Sequence, residues 1–281
     1  MGVWNELLRC FETDSILIAC KCLVEQTFPS IRGTSQNCDL SSLALMNGIK
    51  VTRTRTEHFD GRFETLSDGN LAITLSTLAA RVRSRFTFAH ELGHWMLRHG
   101  GLSLPSKTKF RGVDPMKRSD REEEQISDLL AAELLMPVHQ VSALLQKTAL
   151  TLSTVRKLSR DFEVSFPAAL RRIADVSSVP FLHLNIVPNR FSNLNSFAEI
   201  DNAMFVTPLC GMRIDRAGTR FLTVRSFAEI NSTKKIRLAI GTRDGRINTD
   251  FEVKPNSRPI PNCDLFATLE NVAPMPTMSG F

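Results

Sequence analysis

With 281 residues and 42% hydrophobic content, the chain is long enough for one large domain or two ordinary ones and for a substantial core, in an ordinary globular composition. The formal charge of +6 is spread along the sequence, so it fits an acidic partner or loose nucleic-acid attraction no better than a mildly basic surface with no partner. The longest apolar run near the start, Ser15 to Val24, is interrupted by Lys21 and too short to span a bilayer, and no basic segment precedes it. We therefore expect no membrane association. Glu6 stands where a myristoylation signal asks for Ser or Thr. The six cysteines, at 10, 20, 22, 38, 210 and 263, form no Cys-x-x-Cys pair. They read as small hydrophobes in a reduced, cytoplasmic protein.

In chain order, residues 1–38 read as an extension holding one or two helices, followed by a loop through Pro29, Gly33, Thr34, Ser35 and Gln36. A short helix from Leu40 should stop before Asn47-Gly48. Three strand candidates follow, at Ile49 to Arg55, Gly61 to Leu66 and Leu71 to Leu75, with a turn at Asp68-Gly69-Asn70. They read as a small antiparallel sheet, which either covers the next helix or also pairs with an extended substrate at its edge. Arg81, Arg83 and Arg85 read as preceding that helix, where the dipole does not favour positive charge. They suit either solvation or a substrate carboxylate.

Arg85 to Arg98 contains His-Glu-Leu-Gly-His at positions 90–94. On a helix, residues four apart share a face about 5–6 Å apart at Cβ, so His90 and His94 can turn both imidazoles to one ion. Glu91, one position round from His90, can take a proton from a water that the ion activates. The pentapeptide alone is weak evidence, but Phe86, Phe88, Ala89, Leu92, Trp95, Met96 and Leu97 bury it in apolar surroundings. Ionisable groups in such a helix need a partner, and a shared metal satisfies them together. The longer motif of metzincins fails, because Leu97 and Gly100 stand where it needs a glycine and a third histidine. His99 is then a surface histidine.

A polar connection from Leu104 to Arg118 could act as a lid. The next helix should start near Ser119 or Asp120, with Ser119 and Glu122 spaced as a capping box, and end at Pro137. Glu122, Glu123 and Glu124 suit the helix dipole. Glu124 further shares a face with Asp128, Ala131, Ala132 and Leu135, and the alanines would allow close approach to the histidine helix.

Residues 152–162 and 166–176 form a helix-turn-helix-like pair. Val155, Leu158, Leu170 and Ile173 explain the pattern as core, and direct DNA contact is the competing reading. From Ser177 the texture becomes β-rich, with strands at 181–187, 203–207, 220–227, 235–241 and 247–253, turns at 215–218 and 244–245, and an irregular Pro-rich tail from 255 to 281.

Two stretches, Arg-Phe-Thr-Phe-Ala-His-Glu-Leu-Gly-His and Glu-Gln-Ile-Ser-Asp-Leu-Leu-Ala-Ala-Glu-Leu-Leu-Met-Pro at 124–137, resemble the ImmA/IrrE family of metallo-endopeptidases. The sequence departs from that family's habit at Ile126, Ser127 and Leu130, which touches packing and no ligand. The resemblance implies an α+β fold: a zincin-like (gluzincin-like) peptidase domain over residues 39–145, a helical subdomain at 146–176, and a β-rich, GAF-like sensor domain at 177–281. It implies Zn2+ held by His90, His94 and Glu124, with Asp128 orienting a ligand histidine and Glu91 as catalytic base. Its implied substrate is a helix-turn-helix transcriptional repressor, cleaved to turn genes on. No tyrosine exists to stabilise an oxyanion, which leaves His139, His183 or an arginine. Two other classes stay open: a regulatory binding protein with a structural metal site, and a toxin–antitoxin type interaction module. Oligomeric state is not legible in the sequence.

Overall fold

The computed structural model describes residues 2–29, 38–100, 118–177, 179, 181–188, 198–206, 221–222, 234–242, 245–256 and 262–268. The loop at 33–36, the connection proposed as a lid, the turn at 215–218 and the end of the tail lie outside them. The fold is mixed α+β in two units, one formed by Met1–Leu144 with Lys157–Asp175, the other by Leu145–Arg156 with Val176–Phe281. Among the described residues no single helix is long and apolar enough to cross a bilayer.

The first unit begins with α1 (Val3–Cys10) and α2 (Ile16–Thr27). The sequence read this segment as an extension, but it belongs to the core. Ala19, Cys20, Leu23 and Val24 of α2 are buried at helical spacing, as are Val3 and Leu7 of α1. Burial pushes the Cys20 thiol up to about 12, with Glu133 adding to it and Arg172 opposing, so the thiol is unreactive. α3 (Leu40–Met46) is capped by Asp39, whose carboxylate accepts from the backbone N–H of Ser41 and Ser42 at 3.0 and 3.3 Å. It ends at Asn47 and Gly48, the latter at φ 68°, where a side chain would be strained.

Strands β1 (Ile49–Thr54), β2 (Gly61–Thr65) and β3 (Leu71–Ser76) make a sheet of order β1-β3-β2. The sheet is mixed, not antiparallel as the sequence suggested. The β2–β3 pair is an antiparallel hairpin, with Gly69 at φ 83° in its turn, but β1 runs parallel to β3. The segment after β1 crosses to the far edge of β3, held there where the Ser76 hydroxyl donates to the Thr56 carbonyl at 2.6 Å. Alternation of side chains assigns faces to a strand but not neighbours, so this crossing has no signature in the pattern.

α4 (Arg81–His99) carries the two histidines, and α5 (Arg118–Leu135) packs on it. The three arginines that seemed to precede the helix lie in its first turns. Arg81 pairs with Glu163 at 2.8 Å, Arg83 with Asp60, and Arg85 donates to the Cys38 carbonyl at 3.2 Å. Acidic partners thereby offset the unfavourable dipole term. At Gly93 a Cβ would sit 2.9 Å from the Ser127 carbonyl oxygen and 3.0 Å from its Cα, so this glycine sets the approach of the two helices.

α6 (Val138–Lys147), α7 (Leu152–Asp161) and α8 (Phe166–Val176) follow. Residues 157–175 belong to the first unit and not to a separate helical subdomain. The reason is a buried ion pair, Arg172 of α8 with Glu133 of α5, in which Arg172 also donates to the Met136 carbonyl at 2.7 Å and Glu133 accepts from the Val138 N–H.

The second unit is an antiparallel sheet of order β6-β5-β4-β9-β8-β7, formed by β4 (Phe181–Pro188), β5 (Ala198–Val206), β6 (Phe221–Leu222), β7 (Lys235–Thr242), β8 (Gly245–Asn256) and β9 (Asn262–Thr268). Its core includes Phe181, Leu184, Phe251 and Leu265, and Phe181 stacks on Phe266 at 5.4 Å. The tail read as irregular thus contributes a central strand, since β9 pairs with both β4 and β8. Prolines at 259 and 261 precede that strand in the sequence, and Pro255 sits in β8 opposite it, which hid the strand from the pattern.

Candidate metal centre

α4 and α5 carry the whole cluster. His90 and His94 lie one turn apart, with their Nε2 atoms 3.1 Å from each other. Glu124 on α5 brings Oε2 to 3.2 Å from His90 Nε2 and Oε1 to 3.4 Å from His94 Nε2. The three residues thus offer ligand atoms that all lie within 4.8 Å of one another.

What stands behind the rings decides their tautomers. Asp128 Oδ1 is 2.9 Å from His90 Nδ1, and Glu123 Oε1 is 3.0 Å from His94 Nδ1 while also accepting from Arg98 at 3.2 Å. An ionised carboxylate only accepts, so both Nδ1 atoms carry protons and, in the neutral rings that a metal binds, both Nε2 atoms present lone pairs. Two lone pairs and a carboxylate therefore converge with no hydrogen among them. Such a cluster calls for a cation. A tetrahedron with ligand bonds of about 2.0–2.1 Å has an edge of about 3.3–3.4 Å, close to the spacing found. The residues present fit a divalent metal ion.

The electrostatics point the same way. Burial alone would lower the pKa of His90, but the hydrogen bond and charge of Asp128, with the charges of Glu91 and Glu124, raise it above its ordinary value. The site attracts positive charge.

Glu91 is buried and is not one of the three converging residues. Burial raises its pKa, opposed by His94, His90 and a hydrogen bond from the Phe63 backbone N–H, with Glu124 adding to the rise. That N–H belongs to β2. The N–H of Ser76 bonds to the Asp60 carbonyl and the N–H of Leu66 to the Asn70 carbonyl, so even-numbered residues of the strand face β3. Gly61, Phe63 and Thr65 then point their backbone groups to the open edge, on the side of Glu91. A Cβ at Gly61 would lie 2.3 Å from Thr87 Cγ2 and 3.2 Å from Glu91 Oε1, so a glycine lets the strand lie directly on the helix.

Sequence reasoning missed Glu123. Its place in a run of three glutamates hid it, although asking which acid backs the second histidine would have found it. Of the oxyanion candidates, His183 is buried in the β-rich unit with Nε2 3.2 Å from Asp264 Oδ1, while Arg83 lines the cavity beside His90. His99 stays outside the cluster, stacked on Trp95 at 5.6 Å.

Residues 46–174 match the family model of peptidase M78, described as the IrrE N-terminal-like domain. This stretch belongs to the ImmA/IrrE family. A curated relative, the radiation response metalloprotease IrrE of Deinococcus radiodurans, is 27% identical over 121 residues, covering 42% of this chain and 35% of that protein. The chain thus matches about a third of the length of that relative. A solved structure described as a Mycobacterium tuberculosis transcriptional regulator has a TM-score of 0.49 at 13% identity, over 94% of this chain and 78% of that one. A likeness that loose says nothing of function. The match suggests a metallopeptidase at family level for residues 46–174 and implies a metal, and the convergent His-His-Glu set is a group of described residues able to hold one.

Proposed function

We propose that this chain is a zinc-dependent endopeptidase with a zincin-like catalytic domain. The observation that carries the reading is the convergence of three acceptors on one point, each imidazole backed by a carboxylate. His90, His94 and Glu124 would hold the ion, and two imidazoles with one carboxylate are a donor set used by catalytic zinc. Bound zinc supplies a Lewis acid that makes water acidic enough to lose a proton near neutral pH.

The chain's own residues supply the rest. Glu91, poised by burial against two histidines, accepts that proton and returns it to the leaving amine. Asp128 and Glu123 hold the ring orientations. The outward backbone of β2 offers an extended peptide a strand to pair with, which would lay a scissile bond along Glu91.

By analogy with the relative's name and family, the substrate is a protein, and we favour a helix-turn-helix transcriptional repressor in the cytoplasm. We further propose the β-rich unit as a sensor for the signal that licenses cleavage. The test is Glu91→Gln in the full chain, assayed against a helix-turn-helix repressor that the wild-type chain cleaves. Metal content should be unchanged and cleavage should fall by about 10²–10⁴-fold. Unaltered cleavage would remove the mechanism and leave a metal held for structure.

A further inference from the structure

The cavity that opens beside His90 is larger than the metal site requires. It measures about 940 Å³, at the upper end of the range of roughly 300–1,000 Å³ usual for ligand pockets. Three helices line it, through Val82 and Phe86 of α4, Leu129 and Ala132 of α5, and Pro167 and Ala168 of α8. Most of the charged groups that reach it face a group of opposite charge within the unit. Asp128 faces His90, Arg83 faces Asp60, Arg172 faces Glu133, and Asp175 lies in the fields of Arg172 and Arg171. Apart from these groups and the hydroxyls of Thr87 and Ser165, the lining is apolar. Burial of apolar surface is the interaction this cavity offers.

The same contacts bear on the helix pair that looked like a nucleic-acid reader. Of its basic residues, Arg172 is fully buried in its ion pair, Arg156 is bonded to Asp264 and Lys157 to Asp161. These three face carboxylates, and Arg160 and Arg171 are the other basic residues of the pair. We propose that the cavity is the specificity subsite of the metal centre, that it takes a bulky apolar side chain of the protein substrate, and that α8 is its outer wall. The assignment rests on the peptidase reading and adds to it the chemical class of the residue next to the scissile bond.

The test uses the zinc-loaded full chain and a hydroxamate series, with binding measured by calorimetry. Acetohydroxamate reports the metal alone, and malonyl-type peptide hydroxamates bearing methyl, isobutyl, benzyl or carboxymethyl side chains report the cavity. The isobutyl and benzyl compounds should bind about tenfold or more tighter than the methyl compound, and the carboxymethyl compound no tighter than methyl. Ala132→Phe and Ala168→Phe, which fill the cavity from separate helices, should each erase that preference and leave acetohydroxamate within about twofold of wild type. Equal affinity across side chains in the wild-type protein, which needs neither variant to fold, would overturn the subsite. Undiminished preference in both filled variants would do the same. Failure of acetohydroxamate itself to bind would instead overturn the metal reading underneath. Duplex-DNA binding abolished by Arg171→Glu would overturn the assignment of α8.

Discussion

Two buried polar clusters, one in each unit, are built from similar residues and end in opposite balance. In the β-rich unit Asp264 is a hub among donors: Arg156 reaches it at 2.7 Å, Asn185 at 3.0 Å and His183 at 3.2 Å. Three donors converge on its two oxygens, so protons that the chain itself supplies satisfy the cluster. In the α4–α5 cluster the acids are spent on the far side of the imidazoles, and the near side brings acceptor to acceptor. Composition does not separate the two. What separates them is whether the protons balance, and the cluster with a deficit is the one that asks for a cation.

The comparison can be broken at several points. The largest effect on stability should come from Asp264→Ala, which removes the acceptor that Arg156, Asn185 and His183 share and should destabilise the β-rich unit by about 3 kcal/mol or more. Urea unfolding would read that loss, and zinc affinity should be unmoved; a loss of zinc binding would mean that the two clusters are not separate devices. Next comes Glu123→Gln. This side chain is only 6% exposed, and removing its charge from behind His94 should weaken zinc by about 10–100-fold in a chelator competition. An unchanged affinity would reduce Glu123 to a partner of Arg98. Gly93→Ala should cost about 1–3 kcal/mol, because its Cβ would press on the backbone of α5. It should also weaken zinc, since Glu124 rides on the displaced helix. Asp128→Asn should have the smallest effect of the set on zinc, because Asp128 is 58% exposed and water can replace part of its role.

A pH profile sharpens the contrast further. Burial alone would raise the Asp264 pKa, but the hydrogen bonds from His183 and Asn185, with the charges of His183 and Arg156, bring it below its ordinary value. A carboxylate depressed in the folded state contributes stability above its unfolded pKa, near 4, and loses it as pH falls through the folded value. The β-rich unit should therefore weaken below about pH 4, and Asp264→Asn should flatten that part of the profile. A profile that is unaltered by the substitution would assign the acid lability elsewhere.

Much of the candidate site was legible because its information is local. The i, i+4 histidines, the glutamate between them and the apolar surroundings lie in one short stretch, and Glu124 followed from a family resemblance over the next helix. Glu123 was not legible, because which of three consecutive glutamates turns inward depends on the rotation of α5 against α4, set by the contact of Gly93 with Ser127. The parallel course of β1 and the central place of β9 are pairing decisions made across the chain, where side-chain alternation is silent. Arg172 looked like part of a basic helix and turned out to be the partner of Glu133, thirty-nine residues away. Long-range polar pairing decided what local pattern could not.

The central claim, that three acceptors face one another because they share a cation, is tested most directly by titrating zinc into the metal-stripped full chain by calorimetry, beside Glu124→Ala. The account predicts one equivalent per wild-type chain and a loss of about 10²-fold or more in affinity in the variant, as removal of one of three ligands requires. Absence of stoichiometric binding in the wild type, or equal affinity in the variant, would contradict it.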